Sequence, residues 1–138
     1  MNHYGLRLYR HTLARTADRR ATISYLFDVA IIGCRKAVEA IEANEMPKKG
    51  KSLDQAMAAV MELASALDLE RGGALASRLH ALYAFLMRSL IAVNARNDPA
   101  LARGCAAVLR TLREGWDQIV HGRSPQAAAS PAKVAIHA

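Results

Sequence analysis

A helix wound from residues 21–34, ATISYLFDVAIIGC, has almost no polar side. Ile23, Leu26, Phe27, Ala30, Ile31 and Cys34 recur at i, i+3, i+4 spacing and make one apolar stripe. Tyr25, Val29 and Ile32 make a second stripe beside it. Ser24 and Asp28, one turn apart, leave a thin polar seam. A helix apolar on most of its circumference must be covered on several sides. The run is too short to cross a bilayer, which takes ~20 apolar residues. Its second stripe therefore meets other helices of the chain or a helix from outside.

The remaining segments carry the same 3.6-residue period. Residues 5–15 form a short leading helix with Leu6, Tyr9 and Leu13 on one side. Asp18 is the expected N-cap of a long helix reaching about Asn44. Met46–Gly50 reads as a loop, because Pro and Gly punctuate it. The third helix is expected from Ser52 to about residues 68–71, with Leu53, Met57, Val60, Ala64 and Leu67 inward. Gly72-Gly73 reads as a tight inter-helix turn. The fourth helix carries two stripes, Leu75/Leu79/Leu82/Leu86/Val93 and Ala76/Tyr83/Met87/Leu90/Asn94. Asp98-Pro99 is a strong helix start, and Leu101, Cys105, Val108, Leu112, Trp116 and Ile119 form the inward stripe of the last helix. No β-alternation competes. The expected fold is all-α: an antiparallel up-down four-helix bundle over residues 18–121. Residues 1–17 add a short N-terminal helix, and residues 122–138, rich in Ser, Pro, Gln and Ala, read as a disordered tail.

Charge and chemistry narrow the function classes. The chain has 138 residues and a net charge of +7. Most of that excess lies at the two ends, and residues 21–121 are nearly balanced. A DNA groove reader gathers its Lys and Arg on one folded face, so nucleic acid is a poor candidate partner. Among the five histidines there is no H-x-x-x-H pair, and no Glu stands three residues before a His, so a metal site of the bundle type is not expected. No phosphate-loop motif is present. Cys34 and Cys105 read as reduced, buried thiols. The expectation is a non-enzyme without cofactor. The start, MNHYGLRLYRH, lacks the features of a secretion signal, which points to the cytoplasm.

The uncovered stripe Tyr25/Val29/Ile32 then suggests helix-in-groove recognition. The leading helix, through Leu6, Tyr9 and Leu13, would cover the stripe as a lid until a better-fitting amphipathic helix displaced it.

Several blocks in order give the chain a family likeness. They are Tyr9-Arg10 with Thr16-Ala17 ahead of a helix; Leu26-Phe27-Asp28 with Ala30-Ile31; an L-D-x-E-x-G-G-x-L-A run from Leu67 to Ala76 leading into Leu82-Tyr83; A-x-N-x-x-N-D from Ala92 to Asp98; and L-R-x-x-W from Leu112 to Trp116. Over about residues 8–120 the chain resembles the FliS family of flagellar secretion chaperones. It departs from the family's Tyr-Asp-Gly at Phe27-Asp28-Val29. The resemblance implies an antiparallel helical bundle that holds the carboxy-terminal region of flagellin in the cytoplasm. It would prevent premature polymerisation before flagellar type III export. The export apparatus or an anti-sigma factor are further partners to consider. On this reading Tyr9 and Leu13 form the lid, and Tyr25, Leu26, Val29 and Ile32 one wall of the groove. Tyr83, Met87, Leu90 and Asn94 form the second wall, with Asn94 bonding a cargo backbone group or capping a core network. The alternative is a basic helical regulator that binds nucleic acid or an acidic protein through its arginine-rich start.

Overall fold

The computed structural model describes residues 18–122. The expected leading helix with Leu6, Tyr9 and Leu13, and the expected tail beyond Gly122, lie outside the described residues. Four helices follow one another: α1 (Arg19–Glu42), α2 (Met46–Ser65), α3 (Leu69–Arg96) and α4 (Pro99–His121). Among the described residues there is no strand. Each helix packs on the next, and α4 closes the ring on α1, which is the up-down bundle that short connections favour. No described helix is long and apolar enough to cross a membrane.

Aspartates set three of the four starts. Asp18 accepts from Ala21 N at 3.0 Å, Asp68 from Arg71 N at 3.1 Å and Asp98 from Leu101 N at 3.1 Å. Each satisfies one backbone donor that the first turn leaves unpaired. Two expected boundaries are corrected. Met46–Gly50 is not a loop but the first turn of α2, with Pro47 where its missing N–H costs nothing. Ser52, the expected cap, is therefore inside the helix and buried. The helix expected to reach residues 68–71 ends at Ser65, while Gly72-Gly73 does interrupt the helical path, between a first turn and the long helix that follows. One turn begins at Leu69, and the chain kinks at Gly73, whose φ of 54° and ψ of −134° suit glycine.

Leu26, Leu53, Leu63, Leu86, Leu90 and Leu109 are sealed in the core with Val60 and Val93. Between α1 and α2 the packing is tighter still. A Cβ placed on Gly33 would stand 2.8 Å from the Ser52 carbonyl oxygen and 2.9 Å from Ala56 Cβ. Glycine there lets the two backbones approach.

The bundle's two ends differ. At the end holding the α2 start and the α3 finish, Lys49 is buried and donates to Asn97 Oδ1 at 2.6 Å and to the Asn94 carbonyl at 3.1 Å. Its ammonium occupies the carbonyl-rich terminus of α3, where positive charge is favoured. Arg103 of α4 also pairs with Glu42 of α1 at this end. At the opposite end, among the described residues, no buried lysine bonds a helix terminus, and Trp116 and Ser24 join α4 to α1 instead.

Candidate functional site

At the end where α1 and α3 begin and α2 and α4 finish, the helices leave a cavity of about 430 Å³. All four contribute. α1 supplies Ile23 and Phe27, α2 supplies Leu63 and the connection after it Leu67, α3 supplies Leu75, Leu79 and Tyr83, and α4 supplies Leu112, Trp116 and Ile119. Arg19, Arg20 and Asp68, all exposed, complete the lining with charge. Ile23, Leu67, Leu75, Leu79 and Trp116 are only partly buried, and Ile119 is 47% exposed. These are the inward apolar positions of their helices, yet nothing among the described residues fills the space between them. Burial pushes the Tyr83 phenol up to about 12, so it stays a neutral wall at any physiological pH.

The polar seam of α1 holds Trp116 beside this cavity. Ser24 Oγ accepts from Trp116 Nε1 at 3.1 Å. One turn on, Asp28 accepts from Arg113 Nε at 2.6 Å and from Nη2 at 3.3 Å, and Arg113 also pairs with Asp117. The hydrogen bond to Asp28, followed by the attraction of both carboxylates, raises the Arg113 pKa further. The thin polar seam seen in the sequence is the α1–α4 joint, and it fixes the indole at the cavity wall.

The structure redistributes the expected groove. Leu26, placed on the first wall by the sequence reading, is 1% exposed and points into the core. It belongs to the other stripe of α1, a hundred degrees from Tyr25. Tyr25 and Val29 are partly buried and Ile32 is 46% exposed, so these three do share an accessible strip. The second wall is divided: Tyr83 lines the end cavity, while Met87, Leu90 and Asn94 do not. Tyr83 and Leu90 are core residues, Met87 is partly buried against the core, and the two stripes of α3 face its two neighbours, α2 and α4. Asn94 is exposed, and its carbonyl, not its amide side chain, receives the Lys49 bond. Ile119, expected inward, is at the cavity rim. Tyr9 and Leu13 lie outside the described residues.

Sequence reasoning missed Ile23, Leu67, Leu75, Leu79 and Trp116 as site residues because each looked like ordinary core. Cys34 and Cys105 are free and buried. Burial, chiefly, takes the Cys34 thiol up to about 12 and raises Cys105 as well, which leaves both poor nucleophiles. No group of three or more metal-ligating side chains occurs among the described residues.

Comparison with known proteins adds the decisive observation. The family model described as flagellar protein FliS matches residues 1–123. The chain belongs to the FliS family. It is 38% identical over 105 residues to the flagellar secretion chaperone FliSB of Pseudomonas aeruginosa, covering 76% of this chain and 83% of that one. It is 30% identical over 120 residues to the flagellar secretion chaperone FliS of Salmonella typhimurium, covering 83% of this chain and 89% of that one. A relative in Vibrio cholerae, also a flagellar secretion chaperone, is 32% identical over 80 residues, or 58% and 59% of the two chains. A chaperone role in flagellar export follows for this FliS-family chain. An open apolar cavity suits that role.

Proposed function

We propose that this protein binds the carboxy-terminal helical region of flagellin in the cytoplasm and holds it unpolymerised until type III export. The observation that carries this reading is the apolar cavity at the end of the bundle where α1 and α3 begin. Flagellin's terminal segments need apolar helical faces to assemble, and a chaperone must cover such faces without keeping them. A half-open site does so, because the guest is covered on one side only and its ordering costs about 2–5 kcal/mol of the interaction. Residues 5–15 serve as the lid. In sequence they precede Arg19 and Arg20, which line the cavity, and they carry Leu6, Tyr9 and Leu13 at helical spacing. The Tyr25–Val29–Ile32 strip extends the cargo path along α1. Delivery brings the complex to the export apparatus, and an anti-sigma factor is a further candidate client.

Calorimetry with the carboxy-terminal peptide of the cognate flagellin tests the proposal. Leu79→Trp fills the cavity from α3 and is expected to weaken binding about 10-fold or more, equivalent to ~1.4 kcal/mol. Ile32→Asp tests the strip separately. Absence of heat with the wild-type protein at micromolar concentration sinks the cargo assignment. Unchanged affinity in Leu79→Trp places the cargo elsewhere.

A further inference from the structure

From Arg71 to Asn97 the chain has four arginines, one histidine, no acid and no lysine. Although residues 21–121 are nearly balanced overall, their charge is therefore uneven, and α3 takes the positive share. Its outward face is unusual in a second way. Phe85 is 49% exposed and Ile91 58% exposed, and exposed Ala74, Ala81 and Ala95 leave the surface between them low. Arg78 and Arg88 stand among these residues, and Arg96 ends the row. None of the three arginines forms an ion pair with a described residue. A solvated helix face ordinarily supplies acids at i+3 or i+4 to such arginines. This face supplies aromatic and aliphatic side chains instead.

We propose that the outward face of α3 is a docking surface for an acidic amphipathic helix of a partner protein, distinct from the end cavity. Arginine and aromatic residues with few lysines are the composition of interface cores. Guanidinium groups bind carboxylates in a two-pronged way that lysine cannot reproduce. The spacing also selects the partner. Arg78, Arg88 and Arg96 are one every two to three turns, with apolar contact between them. A second helix laid along α3 meets that pattern with an apolar stripe flanked by Glu or Asp. Nucleic-acid surfaces are much more densely positive. A second copy of this chain would set arginine row against arginine row. The inward stripe of α3, with Leu75, Leu79 and Tyr83, lines the cavity, so cargo and the acidic helix bind opposite sides of one helix.

Fluorescence anisotropy tests this with two synthetic peptides of about 20 residues. Both carry a leucine stripe; one flanks it with Glu and the other with Lys. At physiological ionic strength the Glu peptide is expected to bind at least about 10-fold tighter than the Lys peptide, as charge complementarity requires. The doubly reversed Arg78→Glu/Arg88→Glu protein should invert that preference, and Phe85→Ser should weaken the Glu peptide without inversion. Circular dichroism checks that each variant is folded. The inference is overturned by equal affinity for the two peptides, by a preference the reversal leaves unchanged, or by tighter binding of a short DNA duplex or phosphatidylglycerol vesicles. Loss of the Glu peptide in Leu79→Trp would assign it to the cavity and also overturn the inference. Flagellin binding in Arg78→Glu/Arg88→Glu reports on the cargo proposal separately.

Discussion

Replacing Lys49 with Met keeps the buried stem and deletes the ammonium that joins α2 to the end of α3. Two hydrogen bonds go, to Asn97 Oδ1 and to the Asn94 carbonyl. Bonds to a charged group contribute ~1.5–3 kcal/mol each in mutational series. Here both acceptor residues are exposed, and water replaces much of the loss. The favourable position at the α3 terminus adds about 0.3–1 kcal/mol. Weighing these, Lys49→Met should cost about 2 kcal/mol, within ~1–3. For a folded unit of this size that lowers Tm by about 10 °C, at ~4–8 °C per kcal/mol. Urea titration followed by circular dichroism measures the free energy, with an unchanged slope indicating an unchanged unfolding transition. A double-mutant cycle with Asn97→Gly isolates the contact, since Asn97 has a φ of 51° that glycine adopts freely. A cost under about 0.5 kcal/mol, or coupling indistinguishable from zero, refutes the view that this lysine locks one end of the bundle. Because the cavity is at the other end, cargo affinity well below Tm should be unchanged.

Gly33→Val should be more damaging, at about 3 kcal/mol or above. Even its Cβ meets a backbone oxygen at 2.8 Å, which no rotamer change relieves, and the extra methyls overpack the α1–α2 contact; wild-type-like urea stability would show that the helices separate freely. Stability should also fall in alkali. Cys34 and Tyr83 are raised to about 12 and Cys105 is raised too, so the fold binds protons that the unfolded chain releases first. The contribution is complete below the unfolded thiol pKa of ~8.5 and is lost as pH rises towards 12, at about 1.4 kcal/mol per pH unit for each group in its window. Flat urea stability between pH 9 and pH 11 would contradict that burial (pH values set about the ordinary thiol and phenol pKa range).

Much of the architecture was readable because its causes are local. An aspartate three residues before a backbone donor caps a helix in any context, so Asp18 and Asp98 announced their helices. The 3.6-residue period told which residues turn inward, and Leu53, Leu86 and Leu109 obey it. The misreadings have local causes as well. Pro47 and Gly50 are breakers on average, but Pro47 falls in the first turn, where it is harmless, and Lys49 anchors the segment to α3 from outside it. The helix read as reaching residues 68–71 stops at Ser65, because Asp68 caps a new turn from Leu69 ahead of the Gly73 kink.

The candidate site was less legible. Tyr25, Val29 and Ile32 were rightly taken as one stripe, whereas Leu26 was grouped with them although it is on the adjoining stripe. Tyr83 does line the cavity, but Leu90 looked like part of the same wall because a double stripe can mean two neighbours or one neighbour and a guest. Sequence determined that this chain makes four amphipathic helices with more apolar surface than one packed seam needs. Only the tertiary structure decided where the excess goes: to the end where Ile23, Leu67, Leu79 and Trp116 point at one another across an unfilled space. Periodicity belongs to one helix at a time, but a gap is a property of the distances among four, and those are set by contacts such as Gly33 on Ser52 and Lys49 on Asn97 that couple residues far apart in the chain.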